Sequence, residues 1–365
     1  MRVTQVIATS TGGVGQHVRS LVERLPALGW DVTVVGPPET EAAFGFRAAG
    51  ARFLPLDVAA SPRPGRDVAA VRRLRRLSRG ADVVHAHGFR AAAFAGLALG
   101  RRRPGRVPLV TTWHNAVLAT GPRRRLLAAL ERLAARRADV TLGASHDLVA
   151  RARALGSPDA RPGPVAAAPL PPPVRSRAEV RDELAAGGSP LVLAVGRLAP
   201  QKDHATLLGA ARVWRDRDPA PLVVVVGDGP LRGDLQRRIT TERLPVVLLG
   251  RRDDVADLMA AADVYVLTSH WEARALVLQE AVRAGVPVVA AAVGGVPELT
   301  GDAALLVPAG DARAVAAAVD RVVADPDLAA RLVRDATARS QGWPDEDDTA
   351  RQVAAVYAGL TARNC

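Results

Sequence analysis

Short apolar runs rich in β-branched residues recur along the chain, separated by stretches whose apolar positions repeat at helical spacing. In the first half Val3–Ala8, Asp31–Val35, Arg52–Leu56, Asp82–Ala86, Leu109–Thr112, Val140–Leu142 and Val165–Ala168 read as strands. Pro162–Pro173 is proline-rich, has no helical period and reads as a linker. Beyond it the alternation restarts with Leu191–Val195, Leu222–Val226, Val246–Leu249, Val264–Leu267, Val288–Ala290 and Ala304–Val307. Strand–helix alternation on this scale predicts α/β architecture, with parallel, doubly wound sheets in two Rossmann-like domains in tandem. The expected division is 1–168 and 169–344, with 169–176 as the connection. A last helical segment, Thr349–Ala362, carries Val353, Val356, Tyr357 and Leu360 on one face.

The pattern is densest from Ala262 to Leu299. Asp263–Leu267 is an apolar strand, Thr268-Ser269-His270-Trp271 a polar turn, and Glu272 stands where strand gives way to a helical pattern through Ala284. Gly285 stops that helix and Val286–Ala290 is the next strand. In such a βαβ unit the ligand crevice lies at the carboxyl ends of the strands. Glu272 and Glu280, placed on one ideal helix, would differ by roughly 80° in direction and about 12 Å along the axis. That separation suits two ends of a long ligand rather than a shared proton or metal. The spacing alone is equally compatible with two solvated glutamates.

Composition narrows the classes. At 365 residues, 48% of them apolar but only 3% aromatic, the chain is rich in alanine and long enough for two cores. The single cysteine, Cys365, excludes an intrachain disulfide and a multi-cysteine metal site. No apolar run approaches the roughly 18 residues of a membrane span, since Ala91–Leu99 ends at Arg101-Arg102-Arg103. Met1-Arg2 leads straight into a strand, without the apolar core of a signal peptide, so a cytoplasmic location is expected. The net charge of +12 is uneven: residues through Arg175 hold 27 arginines against 11 acids, and the remainder 22 basic against 26 acidic residues. A basic first half points to an anionic partner. Helical Pro122–Arg137, with Leu126, Leu127, Leu130 and Leu133 on one face, is read as a buried amphipathic helix with a solvated arginine face. Docking to anionic lipid, helped by Arg72, Arg73, Arg75, Arg76 and Arg101–Arg103, is the alternative. Nucleic acid is disfavoured, because no aromatic residues punctuate the basic runs.

Three constellations carry chemistry. Ser10-Thr11-Gly12-Gly13-Val14-Gly15 joins a strand to a helix, where free amides and the helix dipole can hold a phosphate, or where the glycines simply make a tight turn. It is not the dinucleotide fingerprint, because His17 stands where a glycine belongs, which weakens an oxidoreductase reading. Gly196-Arg197 follows a buried strand, and Pro200-Gln201-Lys202-Asp203 follows at a helix start. A guanidinium and an ammonium there suit a diphosphate. Lys202 is the only lysine among 49 basic residues, which speaks against a role in general solubility. His85, His87 and His114 lie on or after strands, but no carboxylate stands at a metal-ligand spacing. Hydrogen bonding to a polar ligand is expected of His114, and a core position of His85.

In that order TGGVGQHVRSLVERLPALGWDVTVV, ADVVHAHG, PLVTTWHN, ADVTLGASHDLV, AVGRLAPQKDHATLLGAA, VVVVGDGPLRGDL and the Ala262–Leu299 stretch with Glu272-x7-Glu280 resemble the retaining glycosyltransferases of family 4. The resemblance spans nearly the whole chain. It implies the GT-B fold, two Rossmann-like domains facing across a cleft, with the acceptor on the first and a nucleoside-diphosphate sugar on the second. A helix at about 345–365, near Trp343 and Tyr357, would cross back onto the first domain. Position by position, Arg197 and Lys202 would hold the diphosphate, Glu272 the sugar and Glu280 the ribose hydroxyls. Gly13 and the amides of Val277 and Leu278 would approach the phosphate, and His114 would hydrogen-bond the transferred sugar. Arg251 joins them as a donor-binding candidate, and His17 and Arg274 as candidates for contact with acceptor or sugar. No metal and no cofactor is expected besides the donor, a UDP-, GDP- or other sugar nucleotide. The unknown hydroxyl acceptor would be a glycolipid, an envelope glycan or a small molecule, and peripheral docking on the inner face of the plasma membrane is the companion expectation. Two positions depart from the family: Ala273-Arg274-Ala275 replaces its glycine and bulky residue, and Pro169-Leu170-Pro171-Pro172-Pro173 replaces its proline-asparagine-glycine turn. The rival readings are a sugar-nucleotide epimerase of similar architecture and a non-catalytic nucleotide-sugar binding protein.

Overall fold

The computed structural model describes residues 1–10, 12–58, 64–116, 122–163 and 165–363, so Thr11, Pro164 and Cys365 lie outside the described residues. The chain divides into two units, Met1–Ala166 with Pro344–Cys365, and Ala167–Trp343.

The first unit is built on seven strands: β1 (Arg2–Ile7), β2 (Asp31–Gly36), β3 (Arg52–Pro55), β4 (Val83–His87), β5 (Leu109–Trp113), β6 (Val140–Gly143) and β7 (Ala160–Pro162). Their order is β3-β2-β1-β4-β5-β6-β7, and every pairing is parallel. The second unit has six: β8 (Leu191–Val195), β9 (Leu222–Val226), β10 (Val246–Gly250), β11 (Val264–Leu267), β12 (Val288–Ala291) and β13 (Leu305–Val307). They run β10-β9-β8-β11-β12-β13, again all parallel. Helices cover both faces of a parallel sheet, so central strands read as unbroken apolar runs; β5, β8 and β11 are buried almost throughout. The order reverses between β1 and β4, and between β8 and β11. Those are the switch points at which crossovers part and a crevice opens at the strand ends.

Three expectations change. Val165–Ala168 is not a strand; Val165, Ala166 and Ala167 are buried, but the backbone of Ala167 bonds to side chains, its amide to Gln279 Oε1 and its carbonyl to Arg283. Burial requires that a backbone group be paired, not that a strand pair it. The seventh strand is instead Ala160–Pro162, an edge position that tolerates proline. Glu272 is not helical: the helix runs Leu276–Arg283 with Ala275 in extended geometry before it, so the single-helix separation of Glu272 and Glu280 does not apply. Pro122–Arg137 is helical, but its leucines do not form the buried face. Leu126 is 48% exposed and Leu127, Leu130 and Leu133 are half-buried, while Glu131, Ala134 and Ala135 point inward. The reason is close helix packing. A Cβ on Gly96 would meet Arg137 Cβ at 2.8 Å, so only small side chains fit between this helix and Gly88–Leu99. Buried Glu131 is held by both nitrogens of Arg151 that face it, at 2.5 and 2.6 Å.

The apolar run Ala91–Leu99 belongs to a helix most of whose residues are buried against the sheet. No described helix is long and apolar enough to cross a membrane. The last helix, Glu346–Thr361, packs in the first unit, where Val353, Val356 and Tyr357 join the core of β1 and β2; Trp343 packs in the second.

Candidate functional site

In the second unit, two loops leave the sheet side by side at the β8/β11 switch. The first follows β8 through Gly196 and Arg197 to a single 3-10 turn, Pro200–Lys202, before the helix His204–Trp214. Asp203 caps that helix from left-handed geometry, its carboxylate accepting from the amide and hydroxyl of Thr206. The second loop, residues 268–275, follows β11. Thr268 Oγ1 donates to the carbonyls of Lys202 and Asp203, Gln201 Nε2 to the carbonyl of Trp271, and the His270 amide to the carbonyl of Gln201. The loops are therefore stitched together by side-chain donors on backbone carbonyls and by one backbone bond, which fixes the side chains between them.

Those side chains are Lys202 and Glu272. Lys202 Nζ lies 2.6 Å from Glu272 Oε1, and Ser269 Oγ donates to the same oxygen at 2.6 Å. Glu272 is only 7% exposed, and these two donors replace the water its Oε1 would otherwise meet. Gly294 closes the far side. A Cβ there would sit 1.9 Å from the Glu272 carbonyl oxygen, and the next amide, Gly295, donates to that oxygen. Arg197 is exposed on the β8 loop and enters no ion pair among the described residues.

Glu280 stands on the helix Leu276–Arg283, largely buried, and desolvation raises its carboxyl to about 6, with Arg283 pulling the other way. The amides of Leu276, Val277 and Leu278 open the same helix, in the turn that no intrahelical carbonyl reaches. Arg274 is half-buried and pairs with no carboxylate among the described residues. It packs over the Trp343 ring, 5.9 Å from guanidinium carbon to centroid, with Nε and Nη2 buried and unpartnered. Burial lowers its pKa. Arg251 is exposed after β10, two strands from β8, and hydrogen-bonds to none of these residues. Ser269, Gln201 and Gly294 were missed as site residues. Only the paired glycines Gly294-Gly295, one turn before Glu298, gave a hint.

In the first unit, Gly13 opens the helix Gly13–Arg24 directly after the β1 loop, and His17 follows one turn on. The other switch point brings His17 together with His87, the last residue of β4, and His114, just after β5. His17 lies edge-on to both, at 5.5 and 5.2 Å between centroids, and His87 Nδ1 is 3.3 Å from His114 Nε2. The His85 ring lies 4.2 Å from that of His87, centroid to centroid, but both its nitrogens turn to core partners, Nδ1 to the Tyr357 hydroxyl and Nε2 to Thr112. Burial depresses all four imidazoles, His17 to about 4, and their mutual repulsion deepens the effect at His85, His87 and His114, so all are neutral at physiological pH.

Residues 12–170 match the family model described as glycosyl transferase 4-like domain, and residues 176–339 the model described as glycosyl transferases group 1. Among similar curated proteins, a sulfoquinovosyl transferase of Arabidopsis thaliana is 30% identical over 79% of this chain and 58% of its own length. A D-inositol 3-phosphate glycosyltransferase of Saccharomonospora viridis is 35% identical over 71% of this chain and 66% of its own. The chain thus spans about six tenths of the length of these relatives. Among solved structures, HepE of Anabaena in complex with UDP superposes with a TM-score of 0.81 at 20% identity, covering 98% of this chain and 100% of that one. Sucrose-phosphate synthase from Thermosynechococcus elongatus gives 0.80 at 23% identity, with both chains covered in full.

Proposed function

The chain belongs to the group 1 glycosyltransferases with the GT-B fold, and from that premise we propose that it transfers a sugar, with retention, from a nucleoside diphosphate to an acceptor hydroxyl. The observation that carries the reading is the Lys202–Glu272 pair at the β8/β11 switch, with the unpaired Arg197 on the same loop. The bond from the anomeric carbon to the diphosphate oxygen breaks while the bond to the acceptor oxygen forms on the same face. The acceptor's proton passes to the departing phosphate oxygen, so no protein nucleophile is assigned. Sugar charge in such a reaction is oxocarbenium-like, and the matching negative charge falls on the leaving group. Lys202 and Arg197 meet that charge without reorganisation, which removes the need for a metal. Glu272 contacts the sugar, Glu280 the ribose hydroxyls, and the amides of Gly13, Val277 and Leu278 the phosphates, with Arg251 a further donor contact. On the acceptor-binding first unit His114 hydrogen-bonds the sugar and His17 the sugar or acceptor. A sugar nucleotide as donor is supported by structural relatives described in complex with UDP and UDP-glucose.

The test is a thermal-shift screen of UDP, GDP and their sugars, followed by product analysis in EDTA. A ligand at a hundred times its dissociation constant stabilises by about 2.7 kcal/mol. Transfer that survives EDTA and keeps the anomeric configuration is expected. Release of a free epimer would make the protein an epimerase, binding without turnover a nucleotide-sugar receptor, and inversion would end the retaining assignment.

Glu280 gives a pH prediction. Its carboxyl is raised from 4.5 to about 6, so nucleotide affinity is expected to fall as pH drops through 6 and the carboxylate is lost. The stability effect has the opposite sign. An acid that holds its proton more tightly when folded destabilises the protein as pH rises from 4.5 through 6, on the order of 2 kcal/mol. Glu280→Gln should therefore melt higher than the parent at pH 8, match it below pH 4.5, and bind nucleotide more weakly. Unchanged nucleotide affinity would remove Glu280 from the ribose site.

Docking on anionic lipid, at the inner face of the membrane, is proposed from the helix Pro122–Arg137. Leu133 lies beside Arg101, Arg102, Arg132, Arg136 and Arg137, which with it line a cavity of about 590 Å³ and enter no ion pair among the described residues, and Leu126 on the same helix is 48% exposed. Flotation with phosphatidylglycerol vesicles should recover the protein at low salt and less at physiological salt. No flotation at either would end the proposal.

A further inference from the structure

We propose that His17, His87 and His114 form a three-imidazole site for a divalent first-row transition ion, zinc being the reference case. One ring nitrogen from each residue lies within 4.8 Å of the other two. Zinc–nitrogen bonds of about 2.0–2.1 Å in tetrahedral geometry hold their nitrogens about 3.3–3.4 Å apart. His87 Nδ1 and His114 Nε2 already stand at 3.3 Å. The third donor, His17, comes from the helix that faces them, and its Nε2 is buried without any hydrogen-bond partner. Such an orphan calls for a ligand, and a small turn of this one ring completes the triangle.

The surroundings orient the donors. Gln5 Nε2 donates to the Tyr357 hydroxyl at 3.0 Å, which leaves Gln5 Oε1 facing His87 Nε2 at 2.7 Å. The His87 proton is thereby placed on Nε2 and the Nδ1 lone pair is aimed at the cluster. A ligand histidine held from behind by an acceptor is the usual second layer of a metal site. Tyr357 is fixed in turn by His85, and His85 by Thr112. Imidazole nitrogens select zinc, copper, nickel or iron over magnesium or calcium. Three imidazole donors leave the fourth position of a tetrahedral ion open.

An ion here takes the nitrogens of His114, so zinc is expected to inhibit transfer; that consequence rests on the role of His114 proposed above, whereas ion binding does not. The experiment titrates tag-free, chelator-treated full-length protein with cobalt(II). One equivalent should develop the intense visible ligand-field band of a low-coordinate cobalt site, and zinc should discharge it one for one. His17→Ala and His87→Ala should weaken binding by more than the roughly 10–100-fold that follows loss of an outer-shell partner. His17→Cys should keep the site and add a thiolate-to-cobalt charge-transfer band, an outcome that a packing role for His17 does not produce. Absence of the visible band in folded protein would overturn the proposal. So would a band unchanged in both alanine variants, which would place the ion elsewhere. Failure to find any donor or acceptor would defeat the transferase reading but leave the cobalt result standing. Cobalt binding without zinc inhibition would sever the site from catalysis.

Discussion

Lys202→Ala is expected to lower kcat/KM by at least about 10³-fold while the protein stays folded. Removing one preorganised donor from a site of developing negative charge costs about 10²–10³ in rate, and here the loss is compounded. Lys202 is one of the two groups that hold Glu272, and a carboxylate 7% exposed is left with Ser269 alone. Lys202→Arg should not restore activity. The methylenes of Lys202 pack against Gly196, with Cε 3.3 Å from where a Cβ would be, and a planar guanidinium cannot place one point charge on the same line. Steady-state kinetics with the donor identified by thermal shift, together with circular dichroism, decide the matter. Activity within threefold of the parent would remove Lys202 from the diphosphate site. Because Lys202→Ala leaves the carboxylate of Glu272 nearly buried with one donor fewer, the melting temperature is expected to fall, and the kinetics are read well below it, where the variant is folded.

Gly294→Ala is expected to cost about 10²-fold in kcat/KM with nucleotide affinity retained. The new Cβ would overlap the Glu272 carbonyl oxygen at 1.9 Å, a backbone atom that no rotamer change can move aside, and would force the loop that carries the carboxylate to move. A displacement near 1 Å at a reacting group costs about that much. Glu280, on the following helix, is not pushed, so nucleotide should still bind. Gly294 also sits at φ 52°, where an alanine is strained by roughly 1–2 kcal/mol whatever the space. Gly310→Ala separates the two effects: Gly310 has φ 77° and open space where its Cβ would go. It should lose stability and keep activity. Equal kinetic losses in both variants would trace the effect to general destabilisation and not to the collision.

Much of the architecture was legible because it depends on local periodicity. Each buried parallel strand is an unbroken apolar run and each helix a 3.6-residue pattern, so twelve of the thirteen described strands follow from the sequence within a residue or so at either end. Arg197, Lys202, Glu272 and Glu280 were likewise readable from residue type and position at strand ends. What periodicity could not show is which apolar face a neighbour takes. In Pro122–Arg137 the leucines look like a core stripe, yet Gly96 brings the neighbouring helix so close that alanines are buried instead and the leucines are left outside. Arg274, a candidate for contact with acceptor or sugar, packs on Trp343, a partner 69 positions away in sequence.

The sequence by itself determined the two α/β units, the strand ends at which chemistry is placed and the residue types available there, since these follow from patterns a few residues long. Only the tertiary structure decided that Lys202 reaches Glu272, that Gly294 bars a side chain from the Glu272 carbonyl, and that His17 rather than His85 joins His87 and His114. Those pairings join residues 22 to 97 positions apart. They are set by strand order at the two switch points, a property of the sheet that no local run of residues encodes.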